Sequence, residues 1–125
     1  MFHKNKEKLE SFIGTGSIFK GDIETTGTLR IDGQMEGHVQ ADWLILGEKA
    51  SVKGDLSARG IIIGGRIEGN LHAKEIVEIK AKGQVVGDIR APKMTISEGA
   101  IFDGKSSMAK HEDNILEFQS QTGEA

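Results

Sequence analysis

Three polar residues recur at a spacing that could bring them together as a metal site. Asp22, His38 and Asp55 each directly follow a glycine, and 16 and 17 residues separate them along the chain. Imidazole nitrogens and carboxylate oxygens are common ligands of divalent metals. The residues would therefore meet if the chain folds with a repeat of that length. The alternative is that they form a solvent-exposed corner of a repeating structure and align only because the repeat does.

Residues for other kinds of catalysis are absent or poorly placed. The chain contains no cysteine, so thiol nucleophiles and thiolate zinc sites are excluded. Ser17, Ser51 and Ser57 have no histidine and carboxylate placed beside them. The glycine-containing segments 14–16 and 64–65 lack the Gly-Lys-Ser/Thr signature of a phosphate-binding loop. The sequence therefore predicts a protein that is not an enzyme and needs no cofactor.

Composition excludes further classes of protein. Glycine supplies 17 of the 125 residues and proline only one, which rules out a collagen helix and a proline-rich linker. Uninterrupted apolar runs are short and the first residues lack an apolar signal core, so we expect neither a membrane span nor secretion. A formal net charge of −3 gives no general attraction to nucleic acid. We expect a cytoplasmic domain.

A glycine repeat sets the elements that would position Asp22, His38 and Asp55. An apolar-x-Gly-x-apolar element occurs five times, and a sixth, degenerate copy begins at Phe102. Units this short cannot bury an apolar face alone, so they are typical of a solenoid in which each coil stacks on the next. The repeated glycines are separated by 15–18 residues and are Gly21, Gly37, Gly54, Gly69, Gly87 and Gly104.

Within each repeat, apolar and polar residues alternate. From Leu29 onward the frame contains twenty inward positions, of which nineteen are apolar and Ser106 is the exception. A two-residue period is that of a β-strand, and glycine suits the tight corners between short strands. We therefore predict an all-β, parallel, three-sided β-helix of about six coils over residues 14–106. A left-handed β-helix needs a regular hexapeptide repeat, which is absent, so we expect the right-handed form.

Large apolar side chains lie in the terminal coils of this predicted rod. Monomeric solenoids usually cover their ends with polar caps or a helix, and two uncovered ends on one rod would build a filament. At the N-terminal end the alternative is a helix over residues 7–13, since Leu9, Phe12 and Ile13 have helical spacing. The candidate interface residues are Phe12, Phe19 and Ile23 at the N-terminal end, and Met94, Ile96 and Phe102 at the C-terminal end.

Three stretches of this repeat resemble the bactofilin family: Phe12–Ile23, Leu29–Gly37 (LRIDGQMEG) and Glu98–Gly104 (EGAIFDG). The resemblance covers roughly residues 12–105. It implies a right-handed β-helical bacterial cytoskeletal protein that polymerises without nucleotide, through its terminal coils, into non-polar filaments. It also implies a scaffold at the inner face of the cytoplasmic membrane that serves cell shape and cell-wall synthesis or hydrolysis proteins.

Two tails are expected to flank the rod, over residues 1–13 and 107–125. The C-terminal tail is acidic around the apolar residues Ile115, Leu116 and Phe118, and we expect it to be flexible. In the N-terminal tail, lysines would contribute about 1 kcal/mol each on anionic lipid, and a filament displaying many tails would bind through avidity. The alternative is a disordered polar leader. The candidate membrane-binding residues are Phe2, Lys4, Lys6 and Lys8.

Two further alternatives stay open at this stage. Trp43, Ile45 and Ile62 face outward in the predicted frame, either as a lateral contact or as scattered surface apolar residues. The chain is either a self-assembling structural protein or a β-helical adaptor that localises a partner enzyme without polymerising.

Overall fold

The computed structural model describes residues 9–108, which form sixteen short β-strands and no helix. No helix in this range could therefore span a membrane. The strands are β1 (Leu9–Ile13), β2 (Ile18–Lys20), β3 (Ile23–Glu24), β4 (Thr28–Ile31), β5 (Gln34–Glu36), β6 (Val39–Gln40), β7 (Trp43–Leu46), β8 (Ser51–Lys53), β9 (Leu56–Ile63), β10 (Arg66–Glu68), β11 (Leu71–Ile79), β12 (Gln84–Val86), β13 (Ile89–Arg90), β14 (Met94–Ile96), β15 (Ile101–Asp103) and β16 (Ser106–Ser107).

The strands stack in parallel on three faces, which we name A, B and C. Face A contains β1, β4, β7, the second halves of β9 and β11, and β14. Face B contains β2, β5, β8, β10, β12 and β15. Face C contains β3, β6, the first halves of β9 and β11, β13 and β16. The chain visits A, B and C in turn six times, so the predicted all-β parallel solenoid of about six coils is confirmed.

Each coil begins with its face A strand. We number the coils 1 to 6, over residues 9–24, 28–40, 43–58, 60–73, 76–90 and 94–107. The inward residues of successive coils lie directly over one another and form a continuous apolar core. In the middle coils this core excludes water, since Ile61 and Ile63 are 0% exposed. The apolar residues of the two-residue alternation therefore form the core, and the residues between them form the surface.

The repeated glycines form a column at the corner between faces B and C. All six have positive φ, between 140° and 156°. The stacking is close: a Cβ atom added to Gly54 would overlap the carbonyl oxygen of Gly37 in the preceding coil. Backbone conformation favours glycine at this corner in every coil, and from coil 2 onward the close stacking also leaves no space for a side chain.

The N-terminal strand β1 decides against the helical alternative for this end. Residues 9–13 are not a capping helix, because Phe12 and Ile13 pair in parallel with Arg30 and Ile31 of β4. The N–H of Asp32 also donates a 2.7 Å hydrogen bond to the carbonyl of Ile13. The unpaired edge of β4 offers these residues main-chain hydrogen bonds that a separate helix could not use. β1 thereby completes coil 1 and extends the solenoid beyond the expected boundary at residue 14.

Candidate polymerisation interface

The N-terminal end of the rod exposes the upper side of coil 1. Phe12 is 56% exposed, Ile18 68% and Phe19 36%, while Ile13 and Ile23 are half-buried against the core. Strands β1, β2 and β3 each pair with only one neighbour among the described residues. This end therefore combines apolar side chains with open strand edges, as a rod cut between two coils would.

The C-terminal end has the same character. Ile96 is 47% exposed and Ile101 51%, and the half-buried Met94 and Phe102 pack on the core from one side. Strands β14, β15 and β16 each pair only with the coil before them in the part of the chain that the structure describes. Unpaired edges of this kind are templates for pairing with another chain.

Exposure at the ends follows from stacking and not from a change in residue type. The inward column of face B is apolar from end to end, and its four middle members are at most 3% exposed. Its terminal members are open only because each lacks a neighbouring coil on one side. A second rod placed against either end would complete the column. The column consists of Phe19, Met35, Val52, Ile67, Val85 and Phe102.

Two apolar residues at the ends were missed by the sequence reasoning. Ile18 and Ile101 point outward on face B, so the alternation assigned them to the surface. They occupy the first and last places of one outward column, whose members between them are Gln34, Ser51, Arg66 and Gln84. A polar column that becomes apolar only in its terminal coils was the signal that could have identified them.

The candidate metal ligands do stack, but they do not converge on one point. His38 Nδ1 lies 3.4 Å from Asp22 Oδ1, and His38 Nε2 lies 3.6 Å from Asp55 Oδ2. The imidazole therefore sits between the two carboxylates, each in a different coil, and all three side chains are largely exposed. Within residues 9–108 no group of three histidine, aspartate or glutamate side chains is arranged to hold a metal.

The same corner repeats further along the rod, with other residues. Asp22 Oδ1 accepts the backbone N–H of His38 at 3.1 Å. Asp55 accepts that of Asn70 at 3.2 Å, and Asp88 that of Lys105 at 3.3 Å. Aspartate at this position thus satisfies a backbone donor in the next coil. The structure favours the solvent-exposed corner over a metal site.

Face A carries two short ion pairs towards its two ends. Arg30 Nε donates to Asp32 Oδ2 at 2.9 Å, and Lys80 Nζ lies 3.2 Å from Glu78 Oε2. The hydrogen bond that Arg30 donates to Asp32 raises the pKa of the Arg30 guanidinium above its ordinary value. Between these pairs lie the half-buried Ile45 and Ile62.

Trp43, on the same face, covers a glycine of the next coil. A Cβ atom added to Gly60 would overlap the indole ring, so the absence of a side chain at Gly60 provides the space that the ring fills. The ring is half-buried as a result. Trp43 therefore belongs to a continuous apolar strip with Ile45 and Ile62, and not to a set of isolated surface residues.

The candidate membrane-binding residues lie outside the described range, which begins at residue 9. Their role stays a prediction. They are Phe2, Lys4, Lys6 and Lys8.

A family model described as "Bactofilin: Polymer-forming cytoskeletal" matches residues 11–107, almost the whole solenoid. The chain belongs to the bactofilin family. This bactofilin is 34% identical to BacO of Myxococcus xanthus over 97 residues, which cover 77% of each chain. It is 32% identical to BacP of the same organism over 105 residues, which are 83% of this chain but only 44% of BacP. The alignment thus spans less than half of that relative.

The fold of this bactofilin matches a solved filament structure. The match is to Thermus thermophilus bactofilin, described as a cryo-EM reconstruction of double helical filaments, with a TM-score of 0.68 and 22% sequence identity. It covers 78% of this chain and 100% of the Thermus chain. The family to which the chain belongs is described as polymer-forming and cytoskeletal, and the solved structure shares its fold.

Proposed function

We propose that this bactofilin assembles end to end through its terminal coils into filaments that need no nucleotide. The observation that carries the proposal is that inward residues of the core column, Phe19 and Phe102, become exposed or half-exposed only where the rod ends. Burial of such side chains is worth roughly 1.5–3 kcal/mol each relative to exposure. Their burial, with the pairing of the open strand edges, would supply the free energy of association.

Assembly would need no nucleotide because the surfaces that would bind one subunit to the next belong to the protein itself. Strand edges and apolar side chains are present in the folded subunit without any ligand. Residues 99–106 match the Gly-x-x-x-x-Gly-Lys-Ser pattern of a phosphate-binding loop, but they form strand β15 and the start of β16, and no helix follows them among the described residues. Stacking would therefore be driven by protein surfaces alone. The role we propose is structural and not catalytic.

The direct test is negative-stain electron microscopy of the purified full chain, with no nucleotide and with apyrase added to remove traces. We expect filaments of unchanged length and number in both samples. Loss of filaments after apyrase treatment would contradict nucleotide independence. A single monomeric species in light scattering at micromolar concentration would instead support the alternative, a β-helical adaptor that localises a partner enzyme.

The polarity of the filament can be determined from the same specimens. The family resemblance implies a non-polar filament in which like ends meet, and this is the form we propose. One observation favours the polar alternative: a head-to-tail joint that continued the register of face B would place Ile101, Phe102 and Asp103 beside Ile18, Phe19 and Lys20. Two-fold axes perpendicular to the filament in averaged images would support the non-polar form, and their absence would contradict it.

We further propose that the filament is held at the inner face of the cytoplasmic membrane by residues 1–8. Phe2 would insert among the acyl chains while Lys4, Lys6 and Lys8 lie near anionic headgroups. Since a single tail would bind only weakly, membrane binding depends on the many tails of one filament. In this position the filament would act as a scaffold for cell shape and for cell-wall synthesis or hydrolysis proteins, as the family resemblance implies.

Deleting residues 2–8 is expected to abolish sedimentation with anionic liposomes while filaments still form. The deletion removes the phenylalanine and all three lysines but stops short of β1, which begins at Leu9. The control is the same measurement on uncharged liposomes, to which neither protein should bind strongly. Unchanged sedimentation of the truncated protein with anionic vesicles would exclude this membrane role.

A further inference from the structure

One outward column on face A has charges of opposite sign at equal distances from its centre. Strand register aligns Arg30, Ile45, Ile62 and Glu78 in coils 2, 3, 4 and 5. The midpoint of this column lies between coils 3 and 4, which is also the midpoint of the six-coil rod. If a second copy is turned end over end and placed against this column, Arg30 faces Glu78 and Ile45 faces Ile62.

The adjacent column has the same property with the signs reversed. Asp32, Gly47, Gly64 and Lys80 each directly follow the last inward residue of their face A strand. Their N–H groups donate to equivalent carbonyls of the preceding coil, at 2.7–2.9 Å, so they occupy equivalent places in coils 2 to 5. An anion in coil 2 and a cation in coil 5 flank two glycines, and the Asp32 carboxylate lies over the first of them, Gly47.

We infer that face A binds face A of a second copy of this chain in antiparallel orientation, with a two-fold axis between coils 3 and 4. The contact has Ile45 against Ile62 of the second copy at its centre, beside the apolar strip that Trp43 extends. At each end Arg30 and Asp32 meet Glu78 and Lys80 of the other copy. The same column continues to Phe12 in coil 1 and Thr95 in coil 6, so Phe12 would lie near Thr95 of the other copy. Phe12 is the one candidate residue of the end-to-end joint in this column.

Charge decides the orientation. In a parallel pair at the same height that apposes this column with itself, Arg30 would lie near Arg30 and Glu78 near Glu78, which disfavours that arrangement because like charges repel across a contact. In the antiparallel pair, the Arg30–Asp32 and Glu78–Lys80 ion pairs are apposed with every cation near an anion. Charges at the rim of an interface contribute more to register and specificity than to affinity. The apolar centre would supply the affinity, and the charges would fix the register.

A cysteine-pair experiment tests this arrangement directly, because the native chain has no cysteine. Two proteins, Arg30→Cys and Glu78→Cys, are purified separately and treated with a short bismaleimide cross-linker, alone and as a mixture. In the antiparallel pair, positions 30 and 78 of different copies face each other. Two copies of position 30 are three coils apart, about 14 Å along the rod. We expect cross-linked dimers in the mixture and no dimers when either protein is treated alone.

The matched control is the pair Gln34→Cys and Gln84→Cys. These residues occupy coils 2 and 5 of face B, so their offset along the rod is the same but they lie on another face. We expect no dimer from that mixture. The amount of any dimer that does form gives the background from contacts made through filament ends. Dimers from Arg30→Cys alone would overturn the antiparallel orientation, and absence of dimers in every mixture would overturn the lateral contact.

The result is separable from the end-to-end proposal. The cross-linking is carried out both on filaments and in a Phe102→Arg background in which end-to-end assembly is expected to fail. Filaments without cross-links between positions 30 and 78 would overturn only the lateral contact. Cross-linked pairs from protein that forms no filaments under any condition would leave the lateral contact standing and overturn the end-to-end proposal.

Discussion

The Phe102→Arg variant is expected to form no filaments while retaining the solenoid fold. Phe102 is half-buried at the C-terminal end and has a neighbouring coil on one side only. In the free subunit an arginine at this position can turn its guanidinium to water, so folding is preserved. In the joint the charge would be buried without a partner, a penalty of about 3–5 kcal/mol. At 1.4 kcal/mol per tenfold change in affinity, assembly should weaken about a hundredfold to a few thousandfold.

The measurement is pelleting and negative-stain microscopy over a range of concentrations, with circular dichroism to monitor the β-structure. The matched control is Ser51→Arg, the same substitution at an exposed outward position in the middle of face B. It should polymerise normally, since it lies away from both ends. Filaments of normal length from Phe102→Arg would show that the C-terminal coil is not a joint.

The Gly54→Ala variant is expected to destabilise the solenoid severely. Gly54 has φ of 140°, a conformation that strains a residue with a Cβ atom by about 1–3 kcal/mol. The added methyl group would also overlap the carbonyl oxygen of Gly37, which a rigid stack of hydrogen-bonded coils cannot move aside. Together these effects should exceed about 4 kcal/mol, a loss seen only for the most damaging single substitutions.

Gly21→Ala separates the two contributions. Gly21 has the same φ of 140°, but it lies in coil 1, and a Cβ atom there would meet only the ring of Phe19 at 3.6 Å. Its substitution should therefore cause the backbone strain without the steric overlap. Urea unfolding of both variants, in the Phe102→Arg background to avoid polymers, gives the comparison. Equal losses of unfolding free energy would show that close stacking of coils is not what requires glycine at Gly54.

Much of the end surface could be predicted because it is an extension of the core. Phe19 and Phe102 occupy the same inward position as Met35 and Val85, and the alternation alone identifies all four. Whether such a residue is exposed depends only on whether another coil follows. Ile18 and Ile101 were missed for the opposite reason. They lie in an outward column, and they become conspicuous only when their column is compared along its whole length.

The amino-acid sequence by itself determined the solenoid, its number of coils and the position of its core. These properties depend on short-range alternation and on glycine at one corner, and both are visible within a single repeat. The secondary structure of Leu9–Ile13 was not determined in this way. The segment satisfies helical and strand periods alike, and the open edge of β4 decides between them by supplying hydrogen bonds to a strand.

The tertiary structure decided which outward residues of face A share a column. The repeat length varies from 15 to 18 residues. A bulge between Ala73 and Ile76 also shifts the register between β9 and β11. Because of these irregularities, counting along the chain does not align Arg30 with Glu78, which are 48 residues apart. Main-chain hydrogen bonds between coils absorb the extra residues at corners and bring the two side chains into one line. The reversed charge pattern of face A exists only in that register.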